Sequence, residues 1–153
     1  MRGDKFVFIA SATNTGAVTL NVNALGAVAV LSADGWALTG GEIRVNQIVE
    51  LYYDGTNFRF PGLSRQSIAA DGYLVLPGGV IMQWGDVVFS ATNTAAVTFP
   101  LAFPTAVLNV QTSYAQAAGG SVVASVASPT TSGFTFNLSA SSSSTGFWFA
   151  VGH

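Results

Sequence analysis

Between Asp86 and His153 the chain has no Asp, Glu, Lys, Arg or His, and every charged side chain lies at or before Asp86. A stretch of that length cannot make the mixed, charged surface that keeps a soluble monomer apart from its neighbours. Its apolar surface needs a cover, and the simplest cover is another copy of the same chain. The shortage extends to the whole molecule. Charged residues are 8% of the 153, while half are hydrophobic, against the ~25% charge of an average domain. This length fits one compact domain or two small modules.

Several classes of function fall away on the same grounds. Five scattered basic residues make no clustered patch for a phosphate backbone, so no nucleic-acid partner is expected. Mean hydropathy is +0.49, yet Ser, Thr, Asn, Gln or Gly interrupts every apolar run before it reaches the roughly 20 residues of a spanning helix. Frequent tight turns and Pro-Gly segments also argue against the ten-residue strands of a membrane barrel, so no membrane insertion is expected. The start, Met1-Arg2-Gly3-Asp4-Lys5, lacks the long apolar region of a signal peptide. With no cysteine, disulfides and thiolate metal sites are excluded. Arg2-Gly3-Asp4 spells an integrin tripeptide and is read as chance.

Period-two alternation runs through most of the chain and predicts an all-β fold. Val18, Leu20 and Val22 alternate with Thr19, Asn21 and Asn23, and Phe134, Phe136 and Leu138 with Thr135, Asn137 and Ser139. Turn signals stand at Asp34-Gly35, Gly40-Gly41, Pro77-Gly78-Gly79 and Gly119-Gly120. Asp54-Gly55 predicts a hairpin with a tight primed turn. Residues 61–72 lack alternation, which predicts an N-terminal β module over 1–62, a linker over 63–72 and a C-terminal β-sandwich-like module over 73–153. Residues 11–20 match residues 90–99 at most positions, and both are read as a polar hairpin tip running into a strand. Duplication of a whole module is the alternative. The run Ser139-Ala140-Ser141-Ser142-Ser143-Ser144-Thr145-Gly146 reads as a solvated loop before a final strand.

At Gly72 a family resemblance begins. Gly72-Tyr73-Leu74-Val75-Leu76-Pro77-Gly78-Gly79-Val80-Ile81-Met82-Gln83-Trp84-Gly85 resembles the opening of a bacteriophage tail-fibre C-terminal domain. Three later blocks keep that family's order: Val97-Thr98-Phe99-Pro100-Leu101-Ala102-Phe103-Pro104, Ser132-Gly133-Phe134, and Gly146-Phe147-Trp148-Phe149-Ala150-Val151-Gly152. Upstream, Tyr52-Tyr53-Asp54-Gly55-Thr56-Asn57-Phe58 is similar, more loosely, to segments that precede such domains. The resemblance implies a homotrimeric fibre tip, intertwined or packed, of a phage or a phage-tail-like bacteriocin (tailocin). It also implies an upstream fibre shaft, a place on a virion tail fibre or an extracellular phage-tail-like particle, and adsorption to bacterial surface polysaccharide or lipopolysaccharide. The matching blocks read as framework, so no contact residue is carried over from the family.

Binding a weakly charged glycan needs aromatic faces for the sugar C–H surfaces, and hydroxyls or amides for the sugar hydroxyls. The candidates are Tyr114, Gln116, Trp36, Asn93 and Ser142. Each has a plainer reading: Tyr114 as a packed tyrosine, Gln116 as an ordinary loop residue, Trp36 as a packed turn residue. Trp84 and Trp148 are expected in the core or an interface, and Asn137 as a solvated or trimer-facing residue. Three copies of His153 near a threefold axis would make a metal site, but a lone terminal His has no second ligand beside it in sequence, so no metal or cofactor is expected. Glycoside hydrolysis needs two carboxyl groups about 5 to 10 Å apart. Only Asp71 and Asp86 are available near the second module, and a turn explains each, so no catalysis is expected. The readings left open are a glycan-binding fibre tip, a purely structural trimerisation segment and, least, a glycan hydrolase.

Overall fold

The computed structural model describes residues 2–115 and 122–153, and among them strand is the only regular structure. The chain is all-β, as the alternation predicts. It divides into two compact units, Met1–Arg65 and Gln66–His153.

The first unit is one five-stranded sheet. Its strands are β1 (Lys5–Ile9), β2 (Val18–Asn21), β3 (Ala27–Ser32), β4 (Ile48–Tyr53) and β5 (Phe58–Phe60), in the order β1-β4-β5-β3-β2. Neighbours are antiparallel except β3 and β5, which run parallel. Alternation sends Val49 and Leu51 into the core, where neither is exposed, together with Val30 and Phe58. Phe58 meets Phe6 edge-on at 5.2 Å and Tyr53 at 5.3 Å.

Carboxylates shape the loops of this unit. Glu42 accepts hydrogen bonds from the Thr39 N–H at 2.7 Å, the Gly40 N–H at 2.6 Å and the Asn14 amide at 2.9 Å. Partial burial by itself would raise the Glu42 pKa, but the Asn14 amide, with the N–H and hydroxyl of Thr39, outweighs it and lowers it to about 2. The β4–β5 hairpin forms where Asp54-Gly55 predicts it, though not through a two-residue turn. Tyr53 pairs with Phe58, which leaves a four-residue loop. Asp54 imposes that length by accepting from the N–H groups of Asn57 and Thr56 on one carboxylate oxygen and from Arg59 on the other. The Asn57 N–H, then Arg59, hold its pKa at about 2.

The second unit is a sandwich of two sheets on one core. One sheet contains β6 (Gln66–Ser67), β7 (Gly72–Val75), β8 (Ile81–Val88), β13 (Thr145–Gly152) and β10 (Val107–Tyr114), in the order β10-β13-β8-β7-β6. The other orders β11 (Ala124–Ala127), β12 (Gly133–Ser142) and β9 (Thr92–Thr98) as β11-β12-β9. Ile81, Trp148 and Ala150 from the first sheet meet Val97, Phe134, Phe136 and Leu138 from the second. Glycines in the strands make room for the aromatic rings. A Cβ at Gly85, which pairs with Trp148, would lie 2.6 Å from that indole, and a Cβ at Gly146 would lie 2.7 Å from Phe136. Gln83, fully buried, satisfies both ends of its amide on one residue: it donates to the Leu101 carbonyl at 2.6 Å and accepts from the Leu101 N–H at 2.9 Å.

Three expectations are corrected. Gln66–Ser67, inside the stretch read as linker, pairs with β7. The Ser/Ala-rich run at residues 139–146 is mostly strand: β12 extends to Ser142, β13 starts at Thr145, and only Ser143 and Ser144 turn. Bonds to residue 123 hold that extension, from the Ser139 N–H to the Val123 carbonyl and from the Val123 N–H to the Ser139 hydroxyl, both at 2.9 Å. Finally, residues 11–17 are not a hairpin tip. They connect β1 to β2, which stand at opposite ends of the sheet order.

Candidate functional site

Besides the crossing from β9 to β10, the chain of the second unit crosses between sheets from β8 to β9, from β10 to β11 and from β12 to β13. The register puts these departures at one end of the first sheet, because Val88 pairs with Thr145 and Tyr114 with Gly146. Loops that gather on a rigid scaffold are where binding groups are most often displayed.

Short cross-links tie this end together. The Phe89 N–H donates to the Ser144 carbonyl at 2.8 Å, and the Ala115 N–H to the Thr145 carbonyl at 3.0 Å. Ala91, in the left-handed region at φ 53°, donates its N–H to the Ser143 hydroxyl at 3.0 Å. The Ser144 hydroxyl donates to the Ala115 carbonyl. Beneath these links lies Phe89, 1% exposed, with its ring edge-on to Phe136 at 5.2 Å and to Tyr114 at 6.3 Å.

Two of the sequence candidates meet here, and a third, Asn93, stands nearby on β9. The Tyr114 hydroxyl is hydrogen-bonded to the Ser142 hydroxyl. Ser142 pairs across the ladder with Thr92, next to the exposed Asn93. Tyr114 is half-buried, so its ring is framework while its hydroxyl joins the polar rim. Around it, Ser90, Thr92, Asn93, Ser141 and Ser143 are exposed. The surface is therefore uncharged, rich in hydroxyls and backed by aromatic rings. Chemically it can donate to and accept from neutral polar ligands, and it offers no fixed charge to steer an ion.

The other candidates lie elsewhere. Gln116 falls outside the described residues. Trp36 belongs to the first unit, where it is 52% exposed, with the Arg65 guanidinium 4.0 Å from its ring centre and its backbone N–H on the Ser32 hydroxyl at 3.0 Å. Trp148 is in the core, 4% exposed, and Trp84 is half-buried with its indole N–H on the Ala69 carbonyl at 3.2 Å. Asp71 accepts from the Asp86 N–H at 3.0 Å, so it works as a cap on the neighbouring strand. His153 is exposed, and its carbonyl accepts from the N–H groups of Thr105 and Ala106. Among the described residues no group of three or more His, Cys, Asp or Glu stands together to hold a metal. Sequence reading missed Phe89 as the support of the site. No local signal marks it, since its partners Tyr114 and Phe136 are far along the chain.

Among the described residues the geometry defines a strand-only sandwich that presents an uncharged rim at the end where three of its crossings between sheets gather. Residues 75–153, just over half of the chain, match the family described as tail fiber protein gp53-like, C-terminal, and the chain belongs to that family. Its fold is also similar to an N-truncated R2-type pyocin tail fibre, at 27% identity and a TM-score of 0.54 over 60% of this chain and 39% of that one. A C-terminal part of the R2 pyocin fibre of P. aeruginosa matches with the same identity, TM-score and coverage of this chain, over 26% of its own length. The chain thus corresponds to less than half of either solved fibre chain. No curated protein sequence matches it. It is a tail-fibre C-terminal domain of the phage and pyocin kind.

Proposed function

We propose that the chain is the distal part of a homotrimeric tail fibre that continues an upstream shaft, and that its second unit holds a bacterial surface polysaccharide or lipopolysaccharide without cleaving it. The observation that carries this reading is the uncharged rim where Tyr114 bonds Ser142, with the exposed Asn93 one residue from the Thr92 that pairs with Ser142. Sugar hydroxyls are donors and acceptors at once, and a rim of hydroxyls and an amide meets them in both roles. Three such rims on one fibre add avidity to individually weak contacts. Trp36 is kept as a secondary contact, since half of its indole is open to solvent. The capping role of Asp71 supports binding without hydrolysis.

The test has two stages. Light scattering on a sizing column is expected to give three times the 15.7 kDa chain mass. The trimer is then expected to bind surface glycan from susceptible bacteria, with binding weakened at least tenfold by a combined Asn93→Ala and Ser141→Ala change that leaves the melting temperature unchanged. A folded trimer that binds no host glycan would replace this reading with a structural one. Reducing ends released from a bound glycan would instead make the chain a hydrolase.

A further inference from the structure

The two sheets of the second unit turn very different outer faces away from their shared core. Along β12, Phe134, Phe136 and Leu138 point inward and alternate with Thr135, Asn137 and Ser139. The register sets Thr94 and Ser125 on either side of Asn137, so the three-stranded sheet is polar on its outside. Strand β13 does not alternate in this way. From Gly146 to Gly152 it runs Gly-Phe-Trp-Phe-Ala-Val-Gly, without a hydroxyl, a side-chain amide or a charge. Trp148 and Ala150 fill the core, while Phe147, Phe149 and Val151 stand on the opposite face. Strand β8 extends that face, because Trp84 pairs with Phe149 and Met82 with Val151. A run that is apolar on both faces is the mark of a strand covered on both sides.

In the single chain this face is open, and Phe147 is 48% exposed. Strand β10 borders it with Asn109, Gln111 and Ser113, all exposed, which pair with Val151, Phe149 and Phe147. Within β8, β10 and β13 the one charged residue is Asp86, which pairs with Phe147 and bounds the apolar patch at one end. The groove between Gln111, Ser113, Phe147 and Phe149 holds about 220 Å³, less than the roughly 300–1,000 Å³ of small-molecule sites. Contiguous apolar surface outside such a site marks contact with another macromolecule.

We infer that the outer face of the five-stranded sheet is where identical copies of this chain pack together. This rests on the homotrimer reading and gives it a place in the molecule. Charge selects the partner. A surface with fixed charges would bury them against Phe149, Trp84 and Met82 without counter-charges. A second copy of this face brings no charge to that part of the patch. Its border is self-complementary too, since amides both donate and accept, and Asn109 and Gln111 can pair with the same residues of a neighbour. The polar three-stranded sheet is left to face water.

A photo-crosslinking amino acid placed at Phe147 tests the inference in a mixture of isotope-labelled and unlabelled chains, where mass spectrometry tells links between copies from links within one. Links between copies to Met82, Trp84, Gln111 or Phe149 are the expected result, and the same probe at Ser125 is expected to give none. By light scattering, Phe147→Ser should raise the dissociation constant of the assembly at least tenfold, and Phe147→Leu should restore most of it. An assembled sample whose links from position 147 stay within one chain, and which Phe147→Ser leaves equally tight, overturns this inference while the trimer stands. Loss of glycan binding by Phe147→Ser at unchanged mass also overturns it, by making the face a ligand site. A wild-type chain that stays monomeric at every concentration overturns the trimer reading and the inference together.

Discussion

Residues 11–20 and 90–99 spell nearly the same sequence and fold differently. In the first unit Thr13, Asn14, Thr15 and Gly16 are irregular, and strand begins only at Val18. In the second unit the matching Thr92, Asn93, Thr94 and Ala95 are already strand. The cause is a distant partner in each case. Asn14 sits at a hub: its amide donates to Glu42 and to the Gly16 carbonyl at 2.9 Å each, and its side-chain oxygen accepts from the Ile43 N–H at 2.8 Å. Asn93 has no carboxylate to serve, since the second unit has none beyond Asp86, and Thr94 next to it pairs with Asn137 of β12. A loop held by a carboxylate and a strand held by its neighbour can thus share one local sequence.

The sharpest break in this comparison removes what stands behind the second copy. Phe136 is fully buried in the core and pairs with Ala95, so Phe136→Ala should cost about 3–5 kcal/mol in urea denaturation, the usual penalty for emptying an aromatic site. The first copy has a weaker but more local hold. Asn14→Ala should cost about 2 kcal/mol, because it removes one donor from Glu42 and leaves the Ile43 N–H without its acceptor. The same change at Asn93 should stay within about 0.5 kcal/mol, as exposed substitutions do. Equal costs at the two asparagines would refute the explanation.

Acid should separate the two copies further. The pKa of Glu42 is depressed in the folded state, so its stabilisation is complete above the ordinary value of 4.5 and is lost as pH falls through about 2. Unfolding curves between pH 7 and pH 2 should show this loss, and Glu42→Gln should be less stable at pH 7 yet flatter with acid. A residual slope will remain from Asp54, whose pKa is also lowered to about 2. The smallest effect tests whether one glycine is responsible. Gly16 has no positive φ and a Cβ there would meet nothing within 4 Å, so Gly16→Ala should change stability by only about 0–1 kcal/mol, in the favourable direction. Conversion of the first copy into strand by this change, visible as new slow-exchanging amides at residues 13–16, would show that local sequence decides after all.

Much of the fold was legible because it depends on alternation. The pattern at Val18, Leu20 and Val22 marks β2, and that at Phe134, Phe136 and Leu138 marks β12. Residues 139–142 were misread because serine runs carry no apolar period, while the bonds that hold Ser139 come from Val123, just before β11. The register between β12 and β9 is irregular from Asn137 to Ser142, and a bulge of that kind leaves no periodic trace. The polar rim was legible in its chemistry, through Tyr114, Asn93 and Ser142, but not in its assembly. The Tyr114–Ser142 bond spans 28 residues, and Arg65 reaches Trp36 from the far end of the first unit. Such pairs exist only once strands have chosen partners.

The gathering of three crossings at one end of the sandwich separates two kinds of evolutionary freedom. Rings seated over Gly85 and Gly146 tolerate little drift, because each needs a neighbour without a side chain. Apart from the buried Phe89, the exposed positions of the crossings face no such demand, and surface connections accept insertion and exchange far more readily than packed strands. A lineage of such fibres can therefore rewrite one end of the domain repeatedly, following a changing target, while inheriting the rest almost unaltered.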